Sequence, residues 1–455
     1  MKKLLIPVLG WMMVFSFGLA APSFADENEV VALKNEVSQL NKKIADLETR
    51  LTGVQSDVQN IRPSVGTAVP APSGQTGGGL LHLAEDVNVG GYVEVQWNDN
   101  FRQPTALTTN TTGIGAPTAS TSEGTNRARV YDTDDNSFTV NSTELYFEKV
   151  AQEANQAGFR FDIQMGEDAD VNNADGDGTP GGAANDAKFD LQQAYVQYIA
   201  PLSFFEGNDI LPNSVDIKVG RFVTLAGFEV IEAPNNWNIS RSIGYGFGLP
   251  IAHTGVRTQF GLFNNKLTTY AGINNGWDDP VDVNSNKTLE FGLGYNVLDN
   301  VKVFHSIYYG EEGVPGSGKR FLSSNVVTVD LTDKFSLAGE ADLAREGNVD
   351  VDGRTADWYD FAVYARYQFN EKFAMVSRSE IFVDDMSFRT STTAGVPPLG
   401  PGSDRTWEQT FTAEYKLTDN LITRAEVRFD KSDDDVLIGS SSSQTTIGGQ
   451  VIYVI

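Results

Sequence analysis

The chain has 455 residues, with 60 acidic against 34 basic side chains and a formal net charge of −26. It contains no cysteine, which excludes disulfides, zinc–thiolate sites and a cysteine nucleophile, and its three histidines leave little for metal or acid–base chemistry. The acidic balance argues against a nucleic-acid partner, since a phosphate-binding surface needs clustered lysine and arginine.

The N-terminus is predicted to be a signal peptide over residues 1–25. Residues 1–3 (MKK) are positively charged, residues 4–20 are apolar, and the small residues Ser23 and Ala25 stand at −3 and −1 of a cleavage site. An uncleaved membrane anchor is the alternative. No later stretch approaches 18 consecutive apolar residues, so the sequence predicts export without a transmembrane helix.

Residues 26–61 are predicted to form an α-helical coiled coil. Their apolar residues recur at alternating steps of three and four, which is the a/d pattern: Val30, Leu33, Val37, Leu40, Ile44, Leu47, Leu51, Val54, Val58 and Ile61. The mixture of side chains suits two or three strands, and a trimer is the expected homo-oligomer; a single amphipathic helix on a globular surface is the alternative. Residues 62–86 follow as a linker rich in Pro, Gly and Ser.

From residue 87 onward the apolar pattern has a period of two, which is typical of β-strands. In residues 287–297, Leu289, Phe291 and Leu293 share one face, while Glu290 and the glycines share the other. About 16 segments of this kind fall within residues 87–455, so the sequence predicts an all-β domain.

The connections between these segments alternate in length, which decides the predicted architecture. Short hairpin turns such as 264–265 and 299–300 are separated by long loops, for example 102–136 and 224–252. An even strand number, alternating loop lengths and apolar outward positions predict a closed antiparallel transmembrane β-barrel. A soluble all-β protein is the alternative. Aromatic residues near strand ends favour the membrane form as an interfacial girdle: Trp97, Tyr198, Trp277, Tyr308, Tyr309, Trp358, Tyr359, Phe373, Trp407 and Tyr415.

Three segments of this region resemble the OmpL-like β-barrel porin family. They are residues 220–257 (GRFVTLAGFEVIEAPNNWNISRSIGYGFGLPIAHTGVR), 272–277 (GINNGW) and 287–291 (KTLEF). The resemblance covers most of residues 87–455 and implies an outer-membrane porin in contact with outer-membrane lipid and lipopolysaccharide. The coil and linker resemble the arrangement of some trimeric porins, which implies a periplasmic coil. The chain departs from the usual aromatic C-terminus of such barrels, since it ends in Ile455.

The loop over residues 224–252 is predicted to fold into the barrel and form its constriction. A barrel of this size is wide enough for a water channel unless something narrows it. This loop is more apolar and richer in glycine than the other long loops, so it should avoid water; packing between subunits is the alternative. Its polar side chains would then face the solute: Glu229, Glu232, Asn235, Asn236, Asn238 and Arg241.

Strand parity predicts the opposite wall of the pore. It turns a set of arginines towards the lumen: Arg257, Arg366, Arg378, Arg424 and Arg428. Placed across from Glu229 and Glu232, the last four would create a transverse field that orients dipolar solutes. The alternative is that these charges only solvate a polar lumen. The net acidity suggests a weak cation preference.

The sequence therefore predicts passive diffusion of small hydrophilic solutes or ions through a water-filled, loop-constricted barrel. The alternative is a structural anchor or periplasmic tether whose barrel is not an open channel. No enzyme activity, cofactor or metal site is predicted. The segment 313–319 resembles a P-loop but is followed by Arg320, and an acidic loop with calcium-like spacing has Ala184 where the bidentate glutamate is needed.

Overall fold

The structure is a computed structural model that describes residues 87–101, 126, 129–173, 188–202, 210–263, 265–282, 284–312, 318–349, 352–392, 405–433 and 441–455. The predicted signal peptide, coiled coil and linker lie outside the described residues. Within the described part of the chain, no helix has both the length and the apolar character needed to cross a membrane.

Sixteen strands make up the domain. Their bounds are β1 Asn88–Asn100, β2 Ser137–Lys149, β3 Ala157–Met165, β4 Phe189–Pro201, β5 Ser214–Val223, β6 Ala252–Leu262, β7 Leu267–Asn274, β8 Thr288–Leu298, β9 Val301–Glu311, β10 Lys319–Thr332, β11 Phe335–Glu346, β12 Ala356–Gln368, β13 Phe373–Asp384, β14 Arg405–Lys416, β15 Leu421–Ser432 and β16 Ser443–Val454. Two short helices follow β3 and β13: α1 Glu167–Asn172 and α2 Phe388–Thr392.

The sheet is a closed barrel in which every strand is antiparallel to its neighbours in the chain. β1 also pairs with β16, with Val93 opposite Tyr453, so the sheet has no free edge. The predicted strand number and antiparallel closure are confirmed. Strand ends were predicted less accurately: the alternation of apolar residues indicates a strand that begins near Asn325, whereas β10 begins at Lys319.

The barrel is apolar outside and polar inside, the reverse of a water-soluble sheet protein. On β12, Phe361 and Val363 are exposed whereas Asp360 and Tyr364 are buried. β15 repeats the arrangement, with Phe429 exposed on the outer face. The apolar outer face suits contact with lipid. The closed sheet suits a bilayer as well, because lipid offers no hydrogen-bond partner to the backbone groups of an open sheet edge.

Residues 224–251, here called the inward loop, connect β5 to β6 and pack inside the barrel. The loop contains a 3₁₀ turn at Ala233–Asn235 and a π-helical turn at Gly244–Gly248. Several of its apolar side chains are buried against wall residues; Ile243, Phe247 and Leu249 share one cluster with them. Burial of apolar area at roughly 25 cal/mol per Å² makes this position favourable for so apolar a loop.

Three aromatics assigned to the girdle lie inside the barrel instead, so that part of the prediction was wrong. Trp277, Tyr308 and Trp358 are buried in the cluster that receives the inward loop. The Trp358 indole N–H donates to the backbone oxygen of Gly248 at 3.0 Å, which supplies the hydrogen bond that a buried indole needs. Tyr309 and Tyr415, by contrast, are exposed on the outside as expected.

Candidate functional site: the inward loop and the charged lumen

Arg378 of β13 fastens the inward loop to the barrel wall. Its guanidinium is fully buried and forms ion pairs with Glu229 of the loop and Glu408 of β14, both at 2.6 Å. It also donates to the backbone oxygen of Ser240 at 2.6 Å. A planar guanidinium has five N–H donors in a fixed fork, so it can hold two carboxylates and a carbonyl at once.

Arg424 and Arg428 of β15 also join the inward loop to the barrel wall. Arg424 pairs with Glu414 at 2.9 Å and donates to the backbone oxygen of Ala233. Arg428 pairs with Asp430 at 2.7 Å and donates to the backbone oxygen of Arg241. Each arginine therefore forms an ion pair with a wall carboxylate and donates a hydrogen bond to a loop carbonyl.

Two wall carboxylates hold the backbone of the loop from the other direction. Glu426 accepts the N–H groups of Ile239 and Ser240 at 2.7 and 2.9 Å. Glu380 accepts those of Ile243 and Gly244 at 2.9 and 2.6 Å. Irregular backbone inside a barrel must find partners for its donors, and these carboxylates provide them as strong, charge-assisted bonds.

Gly244 is required at its position in the loop. A Cβ added there would stand 2.3 Å from the carboxylate Oδ2 of Asp360 on β12, so only glycine lets the backbone come this close.

Two of the predicted constriction residues shape the loop itself. The Asn236 side chain accepts the Val230 N–H at 3.0 Å and donates to the Val230 and Glu232 carbonyls, which closes a turn. Arg241 is buried and donates to the backbone oxygen of Ile231 at 2.7 Å. These side chains therefore fix the course of the loop.

The other predicted loop residues divide between the wall and the lumen. Asn238 is buried and donates to the Thr412 hydroxyl of β14 at 2.7 Å. Asn235 is exposed at the 3₁₀ turn. Glu229 also accepts the Ser242 N–H at 2.7 Å, in addition to its pair with Arg378. Of these three, Asn235 alone remains available to a passing solute.

Glu232 lies on the opposite side of the loop, towards β2–β4. One carboxylate oxygen of each of Glu144, Asp162 and Glu232 lies within 4.8 Å of the others; we call these three residues the lumen triad. Arg160 of β3 pairs with Asp162 at 2.9 Å and offsets part of this charge. Burial raises the pKa of Glu232 above the usual glutamate value of 4.5, because desolvation penalises its charged form.

The structure does not group Glu229 with Glu232 across from an arginine cluster. Glu229 is in direct contact with Arg378, whereas Glu232 belongs to the lumen triad. Arg366 and Arg424 share Glu414 as a partner, at 2.7 and 2.9 Å. The charge of this wall is thus compensated locally, and the predicted transverse arrangement is replaced by a set of ion pairs.

Arg257 also lies on the inner face, away from the other arginines. It forms a bidentate pair with Glu290 of β8 at 2.6 and 2.7 Å and stacks over the Phe222 ring. Parity alone placed both charges inward, and the register of β6, β7 and β8 brings them together.

The sequence analysis missed several charged residues of the lumen, of which three bear on the inward loop and its wall. Glu144 and Asp162 face Glu232, and Arg129, from the long loop after β1, pairs with Asp132 and with Asp430 of β15. Parity along β2 and β3 could have turned Glu144 and Asp162 inward, since Asp162 stands between two apolar residues and Glu144 precedes one. No pattern in the sequence places the loop residue Arg129 beside β15.

Replacing Glu426 by glutamine should destabilise the barrel by about 1–3 kcal/mol, because one amide oxygen replaces two acceptors and an amide N–H₂ then faces buried backbone donors. Urea unfolding in detergent, followed by tryptophan fluorescence, measures the difference. Glu371→Gln, in an exposed short turn, is the matched control and should change nothing. Equal stability of the two variants would contradict the anchoring role of Glu426.

Residues 86–455 match the family described as "Putative beta-barrel porin-2, OmpL-like". The match spans the whole barrel. The chain belongs to this family. This OmpL-like family is one of outer-membrane β-barrel porins. A search of curated proteins gave no significant match to the chain.

Solved structures of outer-membrane channels share the fold at 10% sequence identity and a TM-score of 0.50. The channel DcaP of Acinetobacter baumannii is matched over 81% of this chain and 97% of its own. For the anion-selective porin from Comamonas acidovorans the figures are 81% and 99%, and for Pseudomonas putida OprB they are 82% and 95%. At this identity the likeness shows the fold alone, and it agrees with the OmpL-like assignment.

Proposed function

We propose that the protein is a porin through which small hydrophilic solutes or ions diffuse passively, along the side of the inward loop that faces β2–β4. The observation that carries the proposal is a closed barrel, apolar outside, whose lumen holds a loop with charged and amide side chains. A loop of this kind narrows a barrel without plugging it with a separate domain.

The position of the path follows from the uneven attachment of the loop. Towards β13–β15 the loop is fixed by its contacts with Arg378, Glu380 and Glu426. Towards β4, the contact between Gln192 and Glu232 is long, at 3.4 Å, and Asn235 is exposed nearby. A solute would therefore pass the lumen triad, whose net negative charge supports a weak cation preference.

Planar-bilayer conductance of the purified, refolded protein tests this function. We propose that residues 26–61 form a periplasmic coiled coil that joins three subunits, so the full chain should give steps in multiples of three. A chain without residues 26–79 should still conduct. A barrel that is folded by circular dichroism yet never conducts would contradict the porin proposal.

A structural tether is the second candidate, and the dense packing of the lumen favours it. Phe247, Ile243 and Arg378 are almost completely buried inside the barrel, as they would be in a filled core. If the barrel only anchors the coil, removing residues 26–79 should abolish the cellular phenotype while bilayers show no conductance with either chain.

The cation preference should weaken as the pH falls, beginning above the ordinary glutamate value of 4.5. Burial raises the pKa of Glu232, so this carboxyl takes up its proton at a higher pH than a glutamate in water does. Reversal potentials in a KCl gradient, measured from pH 8 to pH 4, report the change. Glu232→Gln should show a weaker cation preference than the wild type at pH 8 and a smaller change down to pH 4, whereas Glu153→Gln in an exposed turn should follow the wild type. Identical profiles for all three proteins would exclude Glu232 from the path.

A further inference from the structure

Four carboxylates from three neighbouring strands meet on the inner wall of the barrel. Asp342 of β11 stands directly opposite Asp360 of β12. On the next inward-facing positions, Ala362 separates Glu340 of β11 from Glu380 of β13. We call these four acids the wall cluster. Like charges directly opposite each other in a sheet are destabilising, so this arrangement needs a compensating partner.

The described residues provide little compensation. Asp342 and Asp360 are each 1% exposed, and no hydrogen bond of ordinary geometry reaches any of their four carboxylate oxygens within the described part of the chain. The hydroxyl of Tyr364, fully buried on β12 and within electrostatic range of Glu340, is likewise without a partner there. A buried charge in this state costs several kcal/mol unless something neutralises it.

The nearby arginines form their ion pairs with other carboxylates. None of the four acids forms an ion pair with a described lysine or arginine. Arg378 and Arg428 are the cations that act electrostatically on Glu380, yet their ion pairs are with Glu229, Glu408 and Asp430. The remaining acceptors bind backbone, since Glu340 accepts the Phe228 N–H at 3.2 Å.

The spacing of three of these acids fits one metal ion. One carboxylate oxygen from each of Glu340, Asp342 and Asp360 lies within 4.8 Å of the others. Oxygen ligands of one calcium ion, at about 2.3–2.6 Å from the metal, stand no more than about 5.2 Å apart, so three oxygens this close can share one ion. Carboxylate oxygens are the ligands that calcium prefers, and its geometry is more permissive than that of magnesium.

We propose that Glu340, Asp342 and Asp360 bind one divalent cation of calcium size, although the sequence analysis expected no metal site. The ion would neutralise the wall cluster and hold the inward loop against β11–β13. The loop is shaped for this closeness, since Gly227 adopts a φ of +87° beside Glu340 and Gly244 lies against Asp360.

Terbium luminescence tests the proposal on the full chain, refolded in detergent without lipopolysaccharide and stripped with EGTA. Tb³⁺ occupies calcium sites and is excited by a nearby tyrosine, here Tyr364, whose ring packs against that of Phe228 at 4.6 Å between centroids. We expect one saturable site per chain that Ca²⁺ displaces. Asp342→Asn/Asp360→Asn should weaken it at least tenfold, whereas Asp330→Asn/Asp357→Asn, a matched change outside the cluster, should leave it unchanged.

Thermal unfolding gives a second, sign-dependent readout. Calcium should raise the midpoint of the wild type relative to EGTA, and this comparison requires no variant. In EGTA, Asp342→Asn/Asp360→Asn should be more stable than the wild type, because the repulsion is relieved; in calcium the order should reverse. A wild type with the same midpoint in both buffers and no saturable terbium site would overturn the proposal and leave shared protons as the explanation.

Discussion

Replacing Arg378 by methionine should destabilise the barrel by roughly 3–5 kcal/mol, since removing one partner of a buried ion pair leaves an uncompensated charge. Here two carboxylates, Glu229 and Glu408, would lose their partner, and the carbonyl of Ser240 would lose a donor. Methionine keeps much of the side-chain volume, so the loss reports charge rather than a cavity. Urea unfolding in detergent micelles measures it.

Two further variants separate the buried network from a general effect of losing an arginine. Arg345→Met on β11 removes an exposed pair with Asp357 and should leave stability unchanged, because exposed pairs contribute little. Adding Glu229→Gln and Glu408→Gln to Arg378→Met should recover part of the loss. A triple variant as unstable as the single one would show that packing, not charge, dominates at this position.

Replacing residues 228–247 by a short Gly–Ser linker should increase single-channel conductance several-fold. The segment occupies lumen space, and a barrel of 16 strands without it leaves a water-filled channel. Water would then solvate wall charges such as Arg424 and Glu426 that the loop now covers. The same replacement should reduce thermal stability, because the buried contacts of Phe247 and Ile243 are lost.

Replacing the exposed residues 152–155, between β2 and β3, by Gly and Ser is the control for this experiment. It changes a turn outside the inward loop, so conductance should remain at the wild-type value. An inward-loop replacement that folds, as judged by circular dichroism, but conducts like the wild type would show that the restriction lies elsewhere in the chain.

The strands were predictable because the alternation of apolar and polar residues is visible within each strand by itself. Alternation along β8 separates Leu289 and Phe291 from Glu290 without any knowledge of neighbouring strands. The period of two also predicted the inner face for five arginines: Arg257, Arg378, Arg424 and Arg428 are buried there, and Arg366 pairs with the inward Glu414. Local sequence determines which face a side chain occupies, and in a barrel the face determines lipid or lumen.

The pairing of charges was not predictable in the same way. Asp342 meets Asp360, and Arg257 meets Glu290, only because several strands adopt one particular register. A single sequence gives parity but not register, since shifting a strand by two residues preserves its faces and changes every partner.

The course of the inward loop through the lumen could not be predicted from the sequence either. Its entry into the lumen followed from its apolar composition, but the turn closed by Asn236 sends Glu229 and Glu232 to opposite sides. Because Glu229 and Glu232 are only three residues apart in the sequence, we expected them on the same side of the lumen. Likewise Trp358 and Trp277 resembled interfacial aromatics, because sequence position near a strand end does not distinguish an inner from an outer ring.

The pairing of β1 with β16 also determines when the barrel can be completed. Ser443–Val454 is the last strand to be synthesised, and until it arrives β1 has an unpaired edge that another chain could occupy. Joining the two strands closes a loop almost as long as the described chain, and contacts so distant in sequence form slowly. Closure is therefore the late step of assembly, and the chain requires protection from aggregation between synthesis and insertion.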